Sequence, residues 1–500
     1  MQTSSAVVSP VVIATFLAYL ATVFLIGYYA YRRTRDATDY FLGGRSLSPW
    51  VAAISAGASD MSGWLLIGLP GYAYVAGLEA IWIAVGLALG IAASWLLVAR
   101  PLRVFSAALD DALTLPSYLQ RRFQQRTPWL GVVSAVFILL FFLLYVSSGL
   151  IAGGKLFNTV FQVPYSVAVW VGVLAIVSYT LFGGFLAVSW TDVVQGLLMT
   201  AALMIVPLVV SGQLGGVDAG VAALADKNPH LLDPWTDAGG DPLGAIAIIS
   251  LLGWGLAYFG QPHILARFKA VRSAREIPRA AAFGIGWTVL VFTGAIVVGL
   301  TGAVYFEPTL DDGERVFMLL VEALFHPVVA GILLAAILAA IMSTADSQLL
   351  VCSAALVEDL FTLVKKEQAS AAQAVVLGRW SVSVIAICAA LFAMDPDSRV
   401  LEVVAYAWAG LGAAFGPALL LSLYWRRMNW QGAAAGIIVG GSTVPIWRQL
   451  SGGWFGLYEL VPGFFLSLLA VVGVTLATPA PAPAVTRKYD DLKARLRAAG

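Results

Sequence analysis

Apolar residues gather into thirteen stretches, near 10–31, 49–75, 79–100, 129–154, 164–183, 188–212, 244–265, 281–305, 327–359, 372–393, 400–424, 431–448 and 455–477. Each is long enough to cross a hydrocarbon core of about 30 Å as a helix. A chain that enters lipid so often has few ways to fold. Its backbone N–H and C=O groups must be satisfied within each span, and continuous apolar runs without strand alternation select helices over a barrel. Composition agrees: 60% of residues are hydrophobic and 11% charged, against about 45–50% and 25% in soluble chains. A net charge of +1 argues against nucleic acid as a partner. Cys352 and Cys388 lie in apolar segments and read as small buried thiols. His230, His263 and His326 have no metal-ligand spacing, and no nucleophile–base pair suggests an enzyme. The opening MQTSSAVVSP lacks a basic flank, so the first span is expected to be a retained helix.

The 29 Lys and Arg residues orient the spans. Alternate connections carry Arg32, Arg33, Arg35 and Arg45; Arg100, Arg103, Arg121, Arg122 and Arg126; Arg267, Lys269, Arg272, Arg275 and Arg279; Lys365 and Lys366; and Arg426 and Arg427. Arg487, Lys488, Lys493, Arg495 and Arg497 follow in the tail, whereas the other side has only Lys155, Lys227, Arg315, Arg399 and Arg448. The expected topology is an outside N-terminus and a cytoplasmic C-terminus. The Gly/Asp/Pro-rich stretch 213–243 reads as an outer connector or small lid. The basic amphipathic tail is expected on an anionic membrane surface.

One span is badly made for a membrane helix. Ser55–Gly71, SAGASDMSGWLLIGLPG, holds four glycines, three serines, a proline and Asp60. Asp60 lies about 16 Å along a helix starting near Trp50, close to mid-membrane. A carboxylate there costs at least about 2.5–3.5 kcal/mol and marks a functional site. Gly57, Ser59, Ser62 and Gly63 around it suggest unwound backbone, which is tolerated only inside protein or against a polar cavity. A matching interruption follows in the seventh span, at Gly253–Pro262, GWGLAYFGQP. Five spans separate the two starts, so the two segments enter from opposite faces. Paired interruptions in two inverted halves point to a transporter site, where half-helix ends attract a carboxylate and freed carbonyls hold a small cation.

In the ninth span Ala340, Ser343, Thr344 and Ser347 fall at i, i+3, i+4 and i+7, on one helix face near mid-depth. Hydroxyl and carbonyl oxygens suit a hard cation such as Na⁺. Asp346 borders that face, and Asp192 stands near the inner end of the sixth span. Both are candidates for an ion path, whereas Glu79 reads as solvated. Trp64, Tyr145, Trp254 and Tyr258 cluster where a small, partly apolar, zwitterionic solute would sit.

FLGGRSLSPW (41–50), SAGASDMSGW within 55–71, FGGFLAVSWTD (182–192), GWGLAYFGQPHILARF (253–268), AAIMST (339–344) and AYAWAGLGAAFGP (405–417) together resemble the sodium/solute symporter family, and within it the proline branch. The likeness runs over most of 10–477. It implies an all-α polytopic membrane protein with a leucine-transporter-like 5+5 inverted repeat and about 13 transmembrane helices. It implies Na⁺ as coupling ion, alternating access and no organic cofactor. Carried across by position, Ala58, Met61 and Ala340 are implied as carbonyl ligands of Na⁺, with the Ser343 and Thr344 hydroxyls completing the set. Asp60 is implied as the acid needed for sodium use. Ser62, Trp64, Tyr145, Trp254, Tyr258 and Pro262 are implied as substrate-binding residues, and Arg45 and Asp192 as residues of the cytoplasmic pathway. After AAIMST this chain reads ADSQLL. That puts Asp346 where related chains carry a small hydroxyl residue and some hold a further sodium ion.

The expected function is uptake of L-proline coupled to inward Na⁺ movement, in the inner membrane of a bacterium, with no obligate protein partner. The expected division is 1–48 for the first helix and its loop, 49–212 and 244–425 for the two repeats, and 213–243 for the outer loop. Two C-terminal helices follow in 426–478 and a cytoplasmic tail in 479–500. A transporter of another small carboxylate or sugar, a sensor and a channel are the competing readings.

Overall fold

A computed structural model describes residues 9–31, 42–125, 129–180, 184–361 and 371–499. Over these residues all thirteen expected spans are helical, and no strand forms beyond the isolated bridges Leu47–Val271 and Thr236–Pro242. Helix α1 (Pro10–Tyr31) precedes the first interrupted span, α2 (Pro49–Asp60) and α3 (Leu69–Ala76). The next span is α4 (Ile81–Ala93) running on into α5 (Arg100–Ala108), followed by the short α6 (Leu115–Arg122). Then come α7 (Trp129–Phe161), α8 (Tyr165–Thr180) and α9 (Phe185–Gln213). After the outer helix α10 (Val217–Lys227), the second interrupted span is α11 (Ala245–Gly253) and α12 (Pro262–Ala270). Helices α13 (Ile277–Tyr305), α14 (Val316–Leu324), α15 (Pro327–Ala354), α16 (Ala371–Phe392) and α17 (Val400–Tyr424) follow. Last are α18 (Trp430–Trp447), α19 (Leu460–Ala477) and the tail helix α20 (Pro483–Ala498).

Among the described residues, eight helical runs are long and apolar enough to cross a membrane, or nine with the bent α11–α12 pair. The number falls below thirteen partly because Trp64–Ala108 is one helical run of 45 residues. At 1.5 Å per residue it is about 67 Å long, over twice the core thickness. It turns at Gly77, whose φ of 68° is left-handed. A side chain there would also strike the Leu231 carbonyl, 2.4 Å from an added Cβ. The other shortfalls include the shorter apolar helices Tyr165–Ser178 and Val376–Phe392.

α15 is the pillar of the bundle. Its most apolar window is 83% buried inside the protein, against 22% for α1, which lies on the outside against α15 and α9. α15 runs between α7 and α9, α13 packs on α2, α3 and α9, and α17 lies against α7, α18 and α19. The interrupted spans are gripped by bare backbone. A Cβ on Gly255 would meet the Gly86 carbonyl at 2.0 Å, and one on Gly412 would meet Ala257 Cα at 2.5 Å.

Several expectations change. The outer stretch is folded rather than a loose connector: α10 and the turn Pro229–Leu232 lead to Trp235, which packs edge-on to Trp82 at 4.7 Å. Trp82 Nε1 donates to the Pro234 carbonyl (2.7 Å). α14 is a further helix between the eighth and ninth expected spans. Glu79 accepts a 2.6 Å hydrogen bond from Tyr72. The tail does not lie free for a lipid surface, because Val485, Tyr489 and Leu492 are buried and α20 packs on α5 and α6. Several basic residues read as loop charges are interior: Arg45, Arg122, Arg267 and Lys269 are all 9% exposed or less. Arg32, Arg33, Arg35, Arg126, Lys365 and Lys366 lie outside the described residues. Lys155, on the sparse side, is buried and paired with Glu314 (2.6 Å) and Asp312 (3.0 Å).

Candidate functional site

The first interruption is narrower than expected. Gly57 and Ser59 stay helical in α2, and the helix stops at Asp60. Met61 caps it with φ −83° and ψ 77°, its N–H on the Gly57 carbonyl at 2.8 Å. Met61 and Ser62 form the break, and a π-helical turn, Trp64–Gly68, restarts the span. The break strips Asp60 O of its helical partner, and three donors replace it: Ser62 N (3.0 Å), Trp64 Nε1 (3.1 Å) and the Tyr145 hydroxyl (3.1 Å). Buried backbone groups must be paired, so the aromatic residues hold the break open.

The Asp60 side chain is fully buried. Its Oδ2 accepts a 2.5 Å hydrogen bond from the Tyr258 hydroxyl, while Oδ1 has no partner among the described residues. Tyr258 belongs to the second break, a 3-10 turn over Trp254–Phe259, after which Gly260 and Gln261 lead to α12 at a 47° bend. Trp64 lies 6.5 Å from Trp254 and 5.8 Å from Phe292. Two polar and aromatic linings, one from each interrupted span, thus meet at Asp60.

Beside them a set of oxygens converges. Ser343 Oγ donates to the Ala58 carbonyl (2.8 Å) and lies 3.0 Å from the Ala340 carbonyl. Thr344 Oγ1 lies 3.4 Å from the same Ala58 carbonyl. The helical face predicted over 340–347 therefore meets the last turn of α2 at Ala58, two residues before Asp60 and three before the break at Met61. Four neutral oxygens from two helices, near a buried carboxylate, are of the kind that a small hard cation takes as ligands.

The remaining predicted residues stand apart. Asp192 on α9 is fully buried, and its Oδ2 accepts from Ser55 Oγ (2.6 Å) and Arg267 (3.2 Å). Arg267 also donates to Ser55 Oγ (3.1 Å), to the His263 carbonyl (3.0 Å) and to Ser347 Oγ. This ion pair ties α2, α9, α12 and α15 together one turn from the oxygen cluster. Asp346 turns the other way and accepts from Thr180 on α8. Arg45 lies at the end of α12, bonded to Asp111 (2.5 Å), Ser106 Oγ (3.2 Å) and the Lys269 carbonyl (2.7 Å). Burial lowers its pKa from the usual arginine value, and Asp111 opposes that shift. Pro262 opens α12 and lines a cavity of about 440 Å³, including its mouth, with Pro116, Arg267, Lys269, Ser347 and Val351.

Two residues escaped the sequence reading. Trp408 on α17 stands edge-on to Tyr258 (5.0 Å) and Tyr145 (6.3 Å), and its Nε1 donates to the Trp254 carbonyl (2.9 Å). Its only signal was a tryptophan among small residues in AYAWAGLGAAFGP. Arg267 read as a loop charge, because a basic residue ending an apolar span is the ordinary mark of a cytoplasmic loop.

The sodium:solute symporter family profile matches residues 40–440. The chain is 49% identical over 470 residues to the high-affinity proline transporter PutP of Bacillus subtilis, covering 93% of this chain and 98% of that one. It is 46% identical over 499 residues to the sodium/proline symporter of Escherichia coli, covering 98% of each. In three dimensions it resembles the substrate-bound, outward-open structure of a Na⁺-coupled sialic acid symporter, with a TM-score of 0.78 at 21% identity over 94% of this chain and 98% of that one. The fold is the leucine-transporter-like inverted repeat, and the chain belongs to the sodium:solute symporter family.

Proposed function

We propose that this protein is a secondary active transporter that couples inward Na⁺ movement to the uptake of L-proline by alternating access. The observation that carries the reading is the junction of two interrupted helices at Asp60, with the Ala58, Ala340, Ser343 and Thr344 oxygens on one side and Trp64, Tyr145, Trp254 and Tyr258 on the other. The names of the relatives, sodium/proline symporter among them, support the same pair of solutes.

In this scheme Na⁺ is held by the Ala58, Met61 and Ala340 carbonyls and the Ser343 and Thr344 hydroxyls, with Asp60 supplying negative charge nearby. Ser62, Trp64, Tyr145, Trp254, Tyr258 and Pro262 receive proline. Arg45, Asp192 and Asp346 serve the route by which the ion leaves. One Na⁺ moves per proline, and no organic cofactor takes part. A single charge crossing 100 mV yields about 2.3 kcal/mol, enough for roughly fifty-fold accumulation of a neutral solute. The repeats are 49–212 and 244–425, followed by helices in 426–478 and a tail from 479. The chain sits in a bacterial inner membrane with its N-terminus outside and its C-terminus in the cytoplasm.

The test is labelled L-proline uptake into proteoliposomes with and without an inward Na⁺ gradient at clamped pH. Concentrative uptake that requires Na⁺ is the expected result. Uptake of another solute in place of proline would overturn the substrate, and uptake driven by a proton gradient alone would overturn the ion.

A further inference from the structure

We infer that the side-chain oxygen of Gln261 accepts a hydrogen bond from the ring ammonium of the transported amino acid, which makes Gln261 a substrate-binding residue. The inference rests on the proline reading above. Gln261 occupies the second break, between Gly260 and Pro262, with φ −86° and ψ 103°. It is fully buried. Its Nε2 donates to the Trp408 carbonyl at 3.1 Å. A carbonyl only accepts, so this bond fixes which end of the amide is which. Oε1 is left buried, with no donor among the described residues. Buried acceptors are rarely left this way without a use.

The backbone that carries this amide cannot shift easily. A Cβ on Gly260 would lie 2.6 Å from the Leu411 carbonyl and 2.7 Å from Gly416 N, so the break is seated directly on α17. The tether residue, Trp408, is the one whose ring meets both Tyr145 and Tyr258. A spare acceptor is thus held on the break beside Pro262, tied to the residue whose ring meets the two tyrosines.

Chemistry says what it accepts. A cyclic secondary ammonium presents two N–H donors and a positive charge. The polar handles of the aromatic residues are donors, and they are committed: Tyr145 and Trp64 to the Asp60 carbonyl, Tyr258 to the Asp60 carboxylate. Near the aromatic group, the buried acceptors without a donor among the described residues are then Gln261 Oε1, Asp60 Oδ1 and a ring nitrogen of His263, which lies against Tyr145 and Phe142. A neutral amide oxygen adds no further buried charge to that site.

Competition of labelled proline uptake tests this in proteoliposomes. The competitors are unlabelled L-proline and tetrahydrofuran-2-carboxylate, whose ring oxygen replaces the N–H donors. Gln261→Leu is expected to weaken proline by about ten- to hundred-fold, the range for a hydrogen bond to a charged group. The oxygen analogue should keep its parental inhibition constant, so the preference for proline falls by the same factor. Gln261→Glu keeps an acceptor while disturbing the tether to Trp408, and should retain the preference. Equal weakening of both competitors by Gln261→Leu would reduce Gln261 to a clamp on the break and overturn the inference. An unchanged preference would overturn it too, while leaving the proline reading intact. A parent protein that takes up no proline would overturn both.

Discussion

Asp60 is buried with one carboxylate oxygen paired and the other without a partner among the described residues, so its charge is balanced only in part by them. Asp60→Asn keeps the shape and removes the charge. The expected outcome is a rise of about ten-fold or more in the Na⁺ concentration giving half-maximal uptake, at normal expression, as for loss of a charged partner. Unchanged sodium dependence would remove Asp60 from the coupling scheme. Trp254 touches the site through its ring, stacked 5.4 Å from Tyr458 and tilted 6.5 Å from Trp64. Trp254→Ala should raise the KM for proline more than the half-saturation for Na⁺, and equal effects would mark it as a shared gate. The sequence showed Asp60 because a mid-membrane acid is conspicuous, and Ser343 and Thr344 because helical spacing put them on one face. Trp408, Gln261 and Arg267 depend on contacts between segments 75 to 154 residues apart, and no local pattern announces such a meeting.

Each interruption works because its neighbours leave room for backbone. Gly255 and Gly86 approach so closely that an added Cβ falls 2.0 Å from a carbonyl oxygen, an atom that cannot swing aside. Gly255→Ala is therefore expected to lower stability by about 1–3 kcal/mol, the range for overpacking a tight interface, read as a fall in Tm in detergent. Gly473→Ala, within α19 and with open space around its Cβ position, is the control and should not lower Tm, since alanine favours a helix over glycine. Span positions were visible in hydropathy, but the folded outer stretch, α14 and the docking of α20 were not, since the first and last are polar, α14 is too short to stand out as a span, and such segments take their structure from what they pack against. The docked tail carries its own pH signature. Arg426 holds Asp490 with two hydrogen bonds, 2.8 and 2.7 Å, and pulls the carboxyl below its usual pKa. A depressed acid favours the docked state at neutral pH, and that contribution is lost as the pH falls through the lowered pKa, below about 4. Hydrogen exchange over 483–498 should quicken in Arg426→Glu at neutral pH and return towards parental rates in Arg426→Glu/Asp490→Arg. No change in the single variant would mean that Val485, Tyr489 and Leu492 hold the tail unaided.

In this conformation the cavity beside Pro262, Arg267 and Val351 also has Lys269, near the end of α12, in its wall, while Asp60, Trp64 and Trp254 are closed in. The Ser343 hydroxyl also lies within a direct hydrogen bond of the Ala58 carbonyl, 2.8 Å away. A cation cannot share that line with the hydroxyl proton, so ion binding must turn the hydroxyl or part α2 from α15. Na⁺ is then expected to bind better to a conformation in which the two helices stand further apart, and to shift the population towards it. That movement would carry Ser343 and, one turn on, Ser347 with its bond to Arg267, and so alter the cavity wall. Val351→Cys, in a chain with Cys352→Ala and Cys388→Ala, reads this directly, because Val351 lines the cavity and thiol labelling needs access. Labelling should slow as Na⁺ replaces K⁺ at constant ionic strength, and Ser343→Ala should blunt the effect. The size of the slowing is bounded by the ratio of Na⁺ affinities in the two conformations. Labelling indifferent to Na⁺, in protein that still shows sodium-driven uptake, would mean that this cavity does not change with the ion, and the exit route would have to be sought along Thr180 and Asp346 instead.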